Sequence, residues 1–188
     1  VFSDVVTKGA EPFSIPTTPP SGTPAEFRYD HPPSIRTLAQ VVYPYEQLME
    51  GTRGSATVAF VVDPEGFPRN VTVRVESSPE FGAALAAAME AWRFSPAMKA
   101  GQPVESMHVR GQEFGFAEDD VLLNPASRRL RELLSFDRSA VVSALELDQP
   151  VSPRHRPAPV YPEKHVGRSG QAEIEFVLDR EGRAQLPR

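Results

Sequence analysis

The chain has 188 residues, 40% of them hydrophobic, with a mean hydropathy of −0.34 and a formal net charge of −5. That is enough for one medium or two small soluble units; no apolar run approaches the roughly 18–20 residues that cross a bilayer, and the acidic balance argues against nucleic acid as a partner. With no cysteine, disulfides and thiolate metal sites are excluded, which suits an oxidising compartment without requiring one.

Residues 1–26 are rich in Pro and Thr and read as an extended lead-in or linker. Because the chain opens on Val1 rather than Met, it is expected to be a processed chain or a fragment, which leaves room upstream for a signal or membrane anchor. In 55–63, Ala56, Val58, Phe60 and Val62 alternate, the period of a half-buried strand. Asp63-Pro64-Glu65-Gly66 is turn chemistry, and Val71, Val73 and Val75 continue as a second alternating strand, so 55–76 is expected to be a β-hairpin. Ser77 and Glu80 have the spacing of a capping box and Pro79 suits a first helical turn. Phe81, Leu85, Ala88, Met89 and Trp92 then share one face of a helix over 79–93. Gly101 and Pro103 end the connector, and a third strand is expected within 104–114. The order β-β-α-β gives an α+β unit over 27–116, a three-stranded antiparallel sheet with a helix on one face. Its expected core includes Phe60, Val73, Leu85, Met89 and Trp92.

Beyond it, Glu118, Asp119 and Asp120 make an acidic loop, and Asn124-Pro125 reads as a helix start. Leu130, Leu133, Leu134, Val141, Val142 and Leu145 predict one bent helix or two short ones over about 125–147. Residues 117–144 therefore form a loop and helical spacer, whose Arg128, Arg129, Arg131 and Arg138 read as a solvated helix face.

The chain also repeats itself. Tyr29, Asp30, Pro32, Arg36, Val42, Tyr43 and Pro44 recur in order as Leu147, Asp148, Pro150, Arg154, Val160, Tyr161 and Pro162, at an offset of 118. After a two-residue shortening, Ala56, Phe60, Val61, Asp63, Glu65 and Gly66 recur as Ala172, Phe176, Val177, Asp179, Glu181 and Gly182, at an offset of 116. Residues 145–188 are thus expected to be the first half of a second unit.

Three features together resemble the C-terminal domain of TonB, the energy transducer of Gram-negative bacteria. Tyr43-Pro44 opens the unit, with Gly54 one short helix later. The turn Asp63-Pro64-Glu65-Gly66 follows, and then Trp92, Arg93, Phe94 and Pro96 form an aromatic-basic-aromatic-x-Pro helix exit. The resemblance covers roughly 40–112, and in part 159–188. It implies a non-enzymatic periplasmic module that accepts an extended peptide of an outer-membrane TonB-dependent receptor by strand addition, within an energy-transduction or transport system. It also implies anchoring to the inner membrane, and an ExbB/ExbD-type complex, through a segment outside this chain. The added peptide is expected beside the third strand, flanked by Val104, Ser106, His108 and Arg110, with Tyr43 and Pro44 bordering the groove.

The residues themselves offer no competing chemistry. His31, His108, His155 and His165 lack metal-ligand spacing, and Asp63/Glu65 and Asp179/Glu181 sit in hairpin turns. No Gly-rich phosphate loop or Gly-x-Ser-x-Gly occurs, so neither a catalytic residue, a metal nor a cofactor is expected. The alternative is a structural or assembly module whose tandem sheets pair with each other or self-associate with another copy, uncoupled from any receptor.

Overall fold

A computed structural model of the chain describes residues 15–115, 125–137, 141–155, 158–161 and 165–187. The acidic loop at Glu118–Asp120, the Asn124 cap, Pro162, Arg138 and the Arg128 side chain lie outside the described residues. The elements run β1 (Ser34–Thr37), α1 (Tyr45–Glu50), β2 (Gly54–Val62), β3 (Pro68–Glu76), α2 (Pro79–Ala91), β4 (Arg93–Ser95), β5 (Ala97–Lys99), β6 (Gln102–Val104), β7 (Ser106–Phe114) and α3 (Pro125–Phe136). Two-residue strands β8 (Val177–Leu178) and β9 (Ala184–Gln185) pair near the C-terminus.

The expected α+β unit is present: an antiparallel sheet of order β3-β2-β7 with α2 across β2 and β3. Alternation on β2 buries Ala56, Val58, Phe60 and Val62. Against them α2 places Phe81, Leu85, Ala88 and Met89, and the apolar area removed from water there is the main force holding helix to sheet. Trp92 is equally buried, although the helix stops one residue earlier: Trp92 is its extended C-cap, and its indole N–H donates to the Ala39 carbonyl at 2.9 Å.

Two details of the hairpin and helix start differ from the expected ones. The register slips between Thr57 and Val58, where Arg74 is the extra residue. Val73 therefore faces inward opposite Val58, while Val75 turns outward opposite Thr57 and is 65% exposed. At the start of α2 the N-cap is Ser78, with no side-chain cap bond. Ser77 instead ties the helix entry to β2, its Oγ accepting from Ser55 N–H at 2.9 Å, so no capping box forms with Glu80.

The segment ahead of β2 is part of the fold. Tyr29, Val41 and Tyr43 are buried, β1 pairs with β4, and His31 bridges to Met98. After β2 and β3, the stretch 97–104 is a separate two-stranded ribbon turning at Ala100 and Gly101, both at positive φ. Val104 pairs with Ala97 in that ribbon, so it is not in the third strand, which begins only at Ser106.

The spacer helix ends at Phe136, and Val142 and Leu145 are exposed instead of continuing its apolar face. Leu130 and Leu134 of α3 pack against the core, and Arg131 Nε donates to the Leu48 carbonyl at 2.7 Å. Arg131 is thus not a solvated face residue: it adds a charged donor to the Leu48 carbonyl, which also accepts the Gly51 N–H at the end of α1. Farther on, Leu186 enters the core, whereas Ile174, Phe176 and Leu178 stay exposed.

Candidate functional site

β7 is one of the two nine-residue edge strands of the sheet, and every one of its residues is in register with β2, from Gly54↔Phe114 to Val62↔Ser106. Among the described residues no strand pairs with its other side. An edge of that length offers a row of backbone donors and acceptors to a further strand. The 3-10 turn Ala25–Phe27 approaches β7, so part of the edge has chain nearby.

The register fixes which side chains stand on which face. Opposite the outward-facing Val61, Ala59, Thr57 and Ser55 lie Met107, Val109, Gly111 and Glu113. Met107 is 38% and Val109 59% exposed, so the outer face beside this edge is apolar. Ser106, His108 and Arg110 take the alternate positions and turn toward the core. Ser106 and His108 are buried and share a hydrogen bond of 2.8 Å, with the His108 ring lying 5.7 Å from Phe60 and 6.1 Å from Tyr29. Burial in these surroundings favours the neutral imidazole and pulls its pKa from 6.5 to about 4. The Arg110 guanidinium stands 4.8 Å over the Trp92 ring and donates to Gln112 Oε1 at 3.2 Å.

These three polar residues were expected to flank an added peptide; their side chains turn toward the core, while their backbone lies on the edge strand. The strand carries its polar residues inward because they find partners inside: serine with histidine, guanidinium with indole. Sequence reasoning missed Met107 and Val109, which share the strand's other phase. Tyr43 is likewise a core residue; its hydroxyl donates to Thr52 O at 2.6 Å and its ring meets Phe81 and Phe114 edge-on. Pro44 caps the start of α1. Val104 is displaced into the ribbon, so of the six expected binding residues only Ser106, His108 and Arg110 share β7.

The turn and the helix exit, far apart in sequence, meet. Asp63 Oδ1 accepts from Glu65 N–H (3.1 Å) and Phe67 N–H (2.7 Å), Oδ2 from Arg69 Nε (2.9 Å). Gly66 O then accepts from Phe94 N–H at 2.9 Å, and the Phe67 ring lies between Arg69 and Arg93, at 5.4 and 4.7 Å. Gly54 is required for a similar reason, since a Cβ there would overlap Phe81 and Ser77.

Residues 39–114 match the family described as Gram-negative bacterial TonB protein C-terminal. Two similar solved structures are a solution NMR structure of the Pseudomonas aeruginosa TonB C-terminal domain and the TonB2 protein of Vibrio anguillarum. The first is 23% identical with a TM-score of 0.41, over 46% of this chain and 88% of that one. The second is 23% identical with a TM-score of 0.37, over 58% of this chain and all of that one. No curated protein matches the chain. The match over residues 39–114 falls on the stretch, roughly 40–112, in which the sequence resembles the C-terminal domain of TonB.

Proposed function

We propose that this domain works in the Gram-negative periplasm as a non-enzymatic binding module, taking an extended peptide of an outer-membrane receptor by strand addition at the free side of β7. The observation that carries the reading is the nine-residue edge strand, paired on one side only among the described residues and lined on the outer face by exposed Met107 and Val109. Backbone hydrogen bonds supply most of the affinity in such recognition, and alternate side chains supply modest selectivity. Here the alternate residues on the outer face would meet Met107 and Val109, which favours a peptide with an apolar residue at every second position on that side. Ordering a flexible peptide offsets much of the contact energy, so an affinity of about micromolar is expected.

Coupling to an inner-membrane energy source would need an anchor and an ExbB/ExbD-type partner outside the described residues, none of which contains a helix long and apolar enough to cross a membrane. The test is titration of a receptor-derived TonB-box peptide into the full chain, followed by backbone NMR. Shifts running along Ser106–Phe114 support the reading. Shifts confined to α2, or no binding by any such peptide, would transfer support to an assembly module.

A further inference from the structure

The inner side of β7 is covered differently from the rest of the sheet. α2 lies over β2 and β3, whereas the chain ahead of β1 comes to β7: the turn Ala25–Phe27 approaches the strand, and the Tyr29 ring lies 6.1 Å from that of His108. This stretch, residues 15–31, is clipped to the 97–104 ribbon. Asp30 and His31 N–H donate to Met98 O at 2.8 and 3.0 Å, and Met98 N–H donates to His31 O at 2.9 Å. Ala100 N–H donates to Asp30 Oδ2 at 2.8 Å, and Lys99 Nζ to Ala25 O at 3.3 Å. Further bonds close the stretch on itself: Tyr29 OH to Pro16 O (2.8 Å), Arg28 Nε to Thr23 O (3.0 Å) and Thr23 Oγ1 to Pro20 O (2.7 Å). Within it only Thr23 and Tyr29 are buried, with Ile15 half-buried against the core.

What the stretch covers is polar. Uncovering Val58 or Phe60 would put apolar surface into water, which is costly. Uncovering Ser106 and His108 hands water a hydroxyl and an imidazole, already bonded to each other at 2.8 Å, that water solvates well. A segment with so few apolar anchors, held by bonds at the surface, belongs to the low end of local stability.

We propose that residues 15–31 are a clasp over the free side of β7, closed in the unliganded chain and displaced when a strand adds there. The inference rests on the strand-addition reading and names the regulation of that site. A strand beside β7 widens the sheet by about 4.8 Å, and its inward side chains enter the space that Tyr29 and the 25–27 turn hold while the clasp is shut. Peptide affinity is then reduced by the fraction of chains that are open.

The probe is the TonB-box peptide, titrated into the isotope-labelled full chain. The amides of His31, Met98 and Ala100 report the clip. They should shift along the same saturation curve as β7 and lose hydrogen-exchange protection when peptide is bound. In the free chain they should exchange faster than the amides of Val58–Val62 on β2. Tyr29→Ala removes the clasp's anchor and should tighten the peptide by about three- to ten-fold. Asp30→Ala, an exposed change that keeps Tyr29, should tighten it by about two-fold. Tighter binding is the reverse of what general damage to the fold produces. Unchanged or weaker binding by both variants, β7 saturating while Met98 and Ala100 stay still, or clip amides that exchange only together with β2 would each overturn the clasp and leave the β7 reading standing. Peptide binding absent from wild type and variants alike would overturn the β7 reading, and the clasp's role with it.

Discussion

The carbonyl of Gly66 accepts the N–H of Phe94 at 2.9 Å, and a Cβ placed on Gly66 would overlap the Phe94 carbonyl oxygen. Twenty-eight positions apart, hairpin turn and helix exit form one joint, which is why the turn glycine and the aromatic-basic-aromatic run occur together in this chain. Gly66→Ala meets two penalties. Positive φ costs an L-residue roughly 1–2 kcal/mol, and the overlap forces β4 away from the turn. The control is Gly101→Ala, at a similar φ of 79 but with nothing within 4 Å. Urea melts should show Gly101→Ala losing about 1 kcal/mol and Gly66→Ala at least about 2 kcal/mol more. Equal losses would mean that the joint contributes nothing beyond backbone strain.

Trp92 packs on Phe94 at 5.9 Å between ring centres, carries Arg110 over its face, and donates to Ala39 O. Trp92→Ala should therefore cost about 3–5 kcal/mol. Trp92→Phe keeps a ring but leaves the carbonyl of Ala39 without this donor, for roughly 1–2 kcal/mol. A Trp92→Ala protein with wild-type stability in urea would show that the residue is not part of the core.

His108 makes stability depend on pH. Its folded pKa, about 4, lies below the ordinary 6.5, so between those values the unfolded chain binds a proton that the folded one refuses. Stability should hold above pH 6.5, fall as pH drops from 6.5 toward 4, and lose this contribution fully below 4. The span corresponds to roughly 3 kcal/mol at 1.36 kcal/mol per unit. His108→Gln should flatten that part of the profile. An unchanged slope in the variant would assign the acid sensitivity to other groups.

The sequence periodicity located β2, β3 and α2 because each buries one apolar face, and period follows burial. It fell short at two places for one physical reason: alternation describes a regular strand. The bulge at Arg74 adds a residue without any change in composition, so Val75 reads as core and stands in solvent. On β7 the inward positions are polar and the outward ones apolar, so residue type along the strand does not tell which face is buried. Only the cross-strand pairing of Ser106 with Val62 and of Met107 with Val61 fixes them. The joining of β1 to β4 was illegible, since pairing across so long a separation leaves no local pattern.

The β7 edge offers the functional test with the sharpest contrast. If a receptor peptide is held by backbone bonds, its affinity should tolerate a changed side chain on β7 but not a lost strand geometry. Val109→Thr keeps a β-branched residue and should weaken the peptide by no more than about three-fold, under 1 kcal/mol. Val109→Pro removes a backbone N–H and bends the strand, and should abolish binding. Val75→Pro applies the same chemistry to β3, the opposite edge of the sheet, and separates edge-specific loss from general damage. It should leave the peptide affinity near that of wild type, provided both proline variants keep the dispersed amide spectrum of the folded domain. Loss of binding in Val75→Pro with retention in Val109→Pro would place the receptor strand on β3, while indifference to both would remove strand addition as the mode of recognition.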